Sequence, residues 1–367
     1  MAVLIAIGWL GWRAFAARNI AIASIPARPD LSGWSPILAA RLQEAEESAR
    51  GFGNATAGVA ELSRLYHANG FLLEASQCYN GLRELESSNA RWPHLLASIV
   101  AGYGRLDEAK PLLETALRLA PDYIPARLRL AEALLKSNDL IGAAAAYADV
   151  LRREPGNPYA ELGLARCSIE NGDWTGARER LQKAVTGRPD TFGGWALLVA
   201  IHEHFGDREA LAAARPRAAA AGRFREMPDP WLDELTEDCY DPYRLSVAAA
   251  LTTDSARARR WIERAIELSP DTGSYHRQLA ILLQRTRDYP AARRHFERAA
   301  ALNPADSDAW AHLVGLLKDM RNPAAADQAL ANGLAHCPES PALRHLNGQR
   351  LRLLGHFDAA RAELELA

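Results

Sequence analysis

Residues 273–306 read GSYHRQLAILLQRTRDYPAARRHFERAAALNPAD, and this stretch decides the fold. Leu279 and Ala280 fall at its positions 7 and 8, Ala292 at 20, Phe296 at 24, Ala299 at 27 and Pro304 at 32. Outward from it the same spacing recurs. Pro270, Pro304 and Pro338 are 34 residues apart, and so are Pro121, Pro155 and Pro189. A fixed period of this length marks stacked supersecondary units. Counting back from the prolines gives units that start at 56, 90, 124, 158, 192, 239, 273, 307 and 341.

The recurring residues make physical sense as a helix pair. Position 7 is Leu in eight units, from Leu62 to Leu313, and Asn347 in the ninth. Position 20 is Ala in eight units, with Leu211 the exception. A small residue there, and at position 8 (Ala97, Ala131, Ala165, Ala280), lets two antiparallel helices cross closely. Position 24 (Tyr79, Leu113, Tyr147, Leu181, Ile262, Phe296, Leu330, Leu364) fills the space beside the crossing. Gly70, Gly104, Gly172, Gly206 and Gly355 at position 15, joined by Asn138, suit a turn with positive φ. Proline at position 32 stops the second helix. No unit can bury its apolar face alone, so stability becomes a nearest-neighbour sum.

This pattern resembles the tetratricopeptide repeat (TPR) family: L-[GA]-x-x-[YL] on a first helix, A-x-x-x-[FYL]-x-x-A on a second, and a closing proline. It covers 56–367. The resemblance implies an all-α fold, a right-handed superhelical solenoid of antiparallel helix pairs. It also implies a concave groove lined by positions 2, 5, 6, 9, 12 and 13 of each unit. The candidate groove residues are then Arg64, His67, Arg91, His94, Arg129, Tyr159, Arg166, Tyr240, Tyr243, Arg244, Arg277 and Arg285. A mixed Arg, Tyr and His lining suits an extended, partly acidic peptide. The chaperone-binding subgroup clamps a terminal carboxylate with Lys and Asn. This chain has four Lys (110, 136, 183 and 318), and its groove does not reproduce that set.

Composition agrees with close-packed helices. Of 367 residues, 71 are Ala, while aromatics are 7%. Gly and Pro number 25 and 20, which excludes a collagen-like or low-complexity chain. The net charge of −2 argues against a globally basic nucleic-acid binder. Cys78, Cys167, Cys239 and Cys337 form no CxxC pair and no disulfide scaffold. His202-Glu203-His204 looks metal-like, but residues i and i+2 of a helix point to different sides. Gly51-Phe52-Gly53 and Gly102-Tyr103-Gly104 follow no strand, and no phosphate loop or nucleophile elbow occurs. No catalytic, cofactor or metal site is expected. The 55 residues before the array are too few for a catalytic domain.

The array breaks once. Arg223 stands where the fifth closing proline belongs, and Pro216 and Arg215 interrupt the preceding helix pattern. An interior proline ends or kinks a helix at a cost of roughly 3 kcal/mol. The spacing from 223 to 270 is 47, which is 34 plus 13, so an insertion lies at 226–238 (EMPDPWLDELTED). Glu226, Asp229, Asp233, Glu234, Glu237, Asp238 and Asp241 give 226–241 seven carboxylates and no Lys or Arg. Residues 255–300 carry ten Arg and five acids. Three readings stay open: a solvated loop, a joint in which the acidic segment packs on 255–300, or a partner loop anchored by Trp231.

The first 55 residues divide at their prolines. Residues 2–12 (AVLIAIGWLGW) are apolar and uncharged, shorter than the roughly 20 residues of a spanning helix. Read with Arg13 and Arg18, they give an anchor or signal segment over 1–23, a cleaved signal, or a buried amphipathic helix. Residues 24–55 form a linker, followed by a capping helix from Pro36 to Arg50 with Pro at its start and Gly51 after its end. TPR units 1–5 then span 56–225, and units 6–9 span 239–367, the last partial. Leu351, Leu354 and Leu364 are left partly open, which suits self-association through the C-terminal end.

The expectation is a non-enzymatic TPR scaffold for a protein or peptide partner. It is tethered to a bacterial inner membrane and faces the periplasm, where it assists assembly of an envelope complex. A soluble cytoplasmic adaptor is the alternative. A nucleic-acid-binding solenoid using the Arg-rich units is a weaker one.

Overall fold

A computed structural model describes residues 2–187, 193–220, 227–252 and 254–367, with side chains for Trp12 and from Ala14 onward. Pro189, Arg223 and Glu226, which figure in the sequence argument, lie outside the described residues. The described residues form α-helices and one 3-10 segment, with no strand. Two compact units divide the chain, Met1–Asp238 and Cys239–Ala367.

In the first unit, α1 (Ala2–Ser24) and α2 (Pro36–Arg50) precede five helix pairs. These are α3 (Ala55–Ala68) with α4 (Leu72–Leu85), α5 (Arg91–Gly102) with α6 (Leu106–Leu119), and α7 (Ile124–Lys136) with α8 (Leu140–Arg153). They continue with α9 (Pro158–Glu170) and α10 (Trp174–Gly187), then α11 (Gly194–Phe205) and α12 (Arg208–Ala220). A short helix α13 (Pro230–Asp233) and a 3-10 segment (Glu234–Asp238) end the unit. The second unit holds α14 (Pro242–Leu251) with α15 (Ser255–Leu268), and α16 (Gly273–Arg285) with α17 (Tyr289–Leu302). Then come α18 (Ser307–Asp319) with α19 (Pro323–His336), and α20 (Pro341–Leu353) with α21 (Phe357–Glu365). Each first helix packs on its own second helix, which in turn packs on the next first helix where both belong to one unit.

The repeat residues do what their size allows. Ala75, Ala109, Ala143, Ala177 and Ala292 at position 20 are fully buried, as are Ala97, Ala131, Ala165 and Ala280 at position 8. Tyr79, Leu181, Ile262 and Phe296 at position 24 are buried beside them. Every described residue at position 15 has positive φ, and this includes Arg287 and Arg321 (φ 63° and 56°) as well as Asn138. The turn geometry thus belongs to the repeat, and two arginines adopt a conformation that the sequence pattern reserves for Gly or Asn.

One expectation is corrected. Pro216 does not end its helix: α12 runs through it to Ala220, and Arg215 pairs with Glu203 at 3.0 Å. The ninth unit has a second helix, α21, although Leu354, Phe357 and Leu366 stay exposed around it. The N-terminal segment is a single helix rather than an apolar run alone. Its helix continues to Ser24, and the last turns dock on α4. Ala21 is fully buried, Arg18 Nε donates to the Arg50 carbonyl at 2.7 Å, and Gln77 Nε2 donates to the Ala23 carbonyl at 3.4 Å. Gly81 permits this approach, because a Cβ there would lie 1.7 Å from Ser24 Oγ. Among the described residues no helix is long and apolar enough to cross a membrane.

Candidate functional site

The first helices of the first unit present a run of basic residues on one face: Arg64 on α3, Arg91 and His94 on α5, Arg129 on α7. All four are at the expected groove positions. The acidic insertion lies along them, and its course runs backwards through the repeats, from α7 to α5 to α3 and on to α2.

Asp229 is the centre of this arrangement and is 1% exposed. Its Oδ1 accepts from the Tyr123 hydroxyl at 2.6 Å. Its Oδ2 accepts from His94 Nε2 at 2.7 Å and from Arg129 Nε at 2.9 Å. Burial opposes ionisation here, but the hydrogen bond from His94, the Arg129 guanidinium and the Tyr123 hydroxyl outweigh it. They hold the carboxyl well below the usual carboxylate range. Asp229 also stands at the N-cap of α13, where an Asp side chain would ordinarily accept from the helix amides. It makes no such side-chain bond, because its carboxylate is turned into the groove.

Trp231 adds an apolar clasp two residues later. Its ring stacks on Tyr123 with centroids 3.6 Å apart and planes 14° apart, and it meets His94 edge-on at 5.4 Å. Its backbone N–H donates to the Tyr123 hydroxyl at 3.2 Å, so that hydroxyl links the tryptophan backbone to the aspartate. Leu235 is buried on the same segment, and Glu234 pairs with Arg91. Asp238 closes the series. Its carboxylate accepts from Arg41 Nη1 at 2.9 Å and from Arg64 Nε at 3.1 Å, and its carbonyl accepts from Asn69 Nδ2 at 3.0 Å. Glu61 pairs with both arginines and keeps them aimed.

This segment is therefore no solvated loop. Asp229, Glu234 and Asp238 pair with α2 and the first three repeats, and Trp231 is an internal anchor there. Complementary charge was the right signal, and Asp229, Glu234 and Asp238 find it in the groove residues themselves.

Beyond Arg129 the face is open. A cavity of about 510 Å³ is lined by Ser98 and Ala101 of α5, Arg129, Glu132 and Lys136 of α7, Tyr147 of α8, and Tyr159 and Arg166 of α9, with Met227 at its edge. Glu132 Oε2 accepts from the Tyr147 hydroxyl at 3.0 Å and from Arg166 Nη1 at 2.9 Å. Burial works against the charge of Glu132, yet Arg166, Tyr147 and Lys136 keep it ionised below its ordinary range. Gly163 makes room for the Tyr147 ring, which a Cβ would strike at 2.2 Å. The cavity thus has a polar, prearranged floor.

The other candidates fall elsewhere. His67 meets the Tyr79 hydroxyl at 3.0 Å. In the second unit Tyr240 is buried under the Arg264 guanidinium, 4.3 Å from the ring centroid. Tyr243 is 68% exposed, and Arg244 and Arg285 are exposed. Arg277 pairs with Asp306 and Asp308 at 3.2 and 2.8 Å. His202 is buried, Glu203 pairs with Arg215, and His204 stacks on Trp174 at 3.9 Å, so the three side chains go separate ways. Sequence reasoning missed Arg41, Asn69 and Tyr123. Arg41 precedes the array, Tyr123 is the last residue of its unit, and Asn69 is at position 14, all outside the groove register.

Models of the tetratricopeptide repeat match residues 101–140, 134–201 and 277–341. The chain is a tetratricopeptide-repeat protein. Such repeats form protein-interaction scaffolds. A curated relative, "Putative cellulose synthase operon protein C" of Escherichia coli O157:H7, is 43% identical over 70 residues, 19% of this chain and 6% of that protein. The chain therefore spans a small fraction of that relative's length. Among solved structures, "MamA MSR-1 C2" is 17% identical, covers 46% of this TPR chain and 96% of its own, and has a TM-score of 0.38. Yeast Tom70 is 15% identical over 85% of this chain and 75% of its own, with a TM-score of 0.32. At these values the likeness extends to no function.

Proposed function

We propose that this TPR protein is a non-catalytic adaptor that holds an extended segment of a protein partner in the cavity over α5, α7 and α9. The observation that carries this reading is the cavity itself. It has the size of a ligand site, and its Arg129, Glu132, Lys136, Tyr159 and Arg166 occupy the groove positions of consecutive repeats. Three cations and two tyrosines around one carboxylate favour a peptide that carries both an acid and an apolar side chain. A photo-crosslinking residue in place of Tyr159 tests it in cells. One dominant adduct is expected, lost when Arg166→Glu is added and absent when the probe replaces Ile141, which is 87% exposed. Equal capture at both positions would contradict the reading.

The N-terminal run 2–12 is proposed as a membrane tether, which places the groove beside an envelope complex whose assembly it assists, on the periplasmic face. Its support is the apolar run and its unbroken continuation into the docked turns of α1. Carbonate washing of membranes tests it: the intact chain stays in the pellet, and a chain lacking 2–12 is released. Recovery of both in the supernatant would favour the cytoplasmic adaptor. Self-association is proposed through Leu354, Phe357 and Leu366. Sedimentation of Leu354→Asp/Phe357→Asp should then give a smaller species than the parent chain, and an unchanged species would contradict it.

A further inference from the structure

We infer that Met227–Asp238 is an exchangeable internal ligand, and that the groove it fills over α3, α5 and α7 is a second binding site for an acidic, tryptophan-bearing segment of a partner protein. This rests on the reading of the first-helix face as a peptide groove and names the chemistry that one stretch of it selects.

Three features separate this contact from a loop that merely lies on a surface. First, the segment uses the groove register. Its partners Arg64, Arg91, His94 and Arg129 are at positions 9, 2, 5 and 6 of three successive repeats. Second, recognition is graded as in a peptide complex. One carboxylate is fully desolvated and held by three donors, one tryptophan is clasped beside it, and the acids five and nine residues further on pair with more exposed arginines. A buried central anchor with a polar rim is the usual anatomy of a binding hot spot. Third, the cradle is built almost wholly by the repeats. Tyr123, His94 and Arg129 are fixed by α5 and α7 and by the turn before α7, so the site stays when the segment leaves.

The fit specifies the occupant. A free carboxylate must enter the His94–Tyr123–Arg129 cradle, an aromatic ring must follow at the second residue, and further acids must come five and nine residues on. Aspartate, proline and tryptophan in sequence (Asp229, Pro230, Trp231) meet the first two demands. Proline at the first helical position also preforms the single turn that brings the ring over Tyr123. A tethered segment acts at an effective concentration near millimolar. The intact chain is therefore closed to weak competitors and open to a partner that binds tightly or holds a second contact, for which the adjoining cavity is placed at Met227.

The test uses a fluorescent peptide of sequence MPDPWLDELTED and the full chain, read by anisotropy. Asp229→Ala/Trp231→Ala frees the groove, and it should bind the peptide at least tenfold more tightly than the parent chain. Adding His94→Ala and Arg129→Ala to that variant should abolish binding, and a peptide with Ala for its Asp and Trp should not bind. Circular dichroism melting confirms that each variant is folded. Where one is not, excess peptide is added to the parent chain, and hydrogen exchange of its own residues 227–238 should accelerate. A folded Asp229→Ala/Trp231→Ala chain that ignores the peptide would overturn the inference, as would equal binding by the parent. So would a parent chain that sediments as a dimer and becomes monomeric in the double variant, since the segment would then belong to a second copy. Capture at Tyr159 together with failure of the peptide would reject this inference and leave the adaptor reading standing.

Discussion

Two stretches of one groove meet at Arg129 and differ in what they hold. Towards the N-terminal end, over α3, α5 and α7, the cations are met by the chain's own Asp229, Glu234 and Asp238. Towards α9 Glu132 of the lining itself meets Arg166 and Lys136, and a cavity remains. The difference is one of charge supply. The filled stretch has arginines in excess of its own acids, so an acidic segment of the chain is drawn in. In the open stretch Glu132 engages Arg166 and Lys136 within the lining, and no acidic segment of the chain lies there. The lesson is that a repeat face recruits the chain's own acidic segment where its arginines lack acids of their own.

Substitutions can break this contrast, and the largest effect falls on Asp229. Replacing it with Ala leaves His94 and Arg129 without their buried acceptor. Removing one partner of such a pair costs about 3–5 kcal/mol, with Arg129 partly exposed and so at the lower end. Hydrogen exchange of 227–238 should speed up by about two orders of magnitude or more. Global melting should move less, because the undocked side chains regain water. A melting transition that collapses with the segment would show instead that the segment is part of the core.

Trp231→Ala removes the stack on Tyr123 and its buried area. An aromatic pair contributes about 0.5–1.5 kcal/mol beyond burial. Exchange of the segment should rise by roughly tenfold, clearly less than for Asp229→Ala. The reverse order would place the tryptophan, not the carboxylate, at the centre of the contact.

Acid should sharpen the same point. Asp229 is held below the usual carboxylate range, so its contribution is complete above about pH 4 and is lost only as the pH falls through its lower folded value. His94, Tyr123 and Arg129 are the groups that face it. The segment should stay protected at pH 4 and be released in stronger acid. Release between pH 5 and pH 4 would contradict an ionised carboxylate in the cradle.

On the open side the effects are small. Arg166→Ala frees Glu132 at a half-exposed site, where an ion pair is worth about 0–1 kcal/mol. Melting should barely change and exchange of 227–238 should not change at all, while capture through Tyr159 is lost. A change in the segment would mean that the two stretches are coupled rather than adjacent.

The architecture was legible because its signals are local and repeated. Position 20 alanines, position 15 turns and closing prolines each recur at a fixed interval, so single exceptions such as Leu211 or Arg287 did not hide the period. The insertion was legible too, as a spacing of 47 in place of 34. Its destination was not, because Asp229 meets His94 across 135 residues and no local pattern encodes such a contact. Charge complementarity pointed to the nearest basic stretch, 255–300. The cations that matched were already named as groove residues, but they had been assigned to an outside peptide. Pro216 misled for a related reason: the rule for an isolated helix met one braced by its neighbour α11.

Hydrogen exchange of the intact chain at neutral pH, resolved over residues 227–238, tests the central claim most directly. The amides of Trp231, Leu232 and Asp233 donate to the Tyr123 hydroxyl and the Asp229 carbonyl. They should exchange at least a hundredfold more slowly than in the free peptide MPDPWLDELTED. That protection should vanish in Asp229→Ala while α5 and α7 remain protected. Exchange of the segment at the rate of the free peptide in the parent chain would contradict an occupied groove.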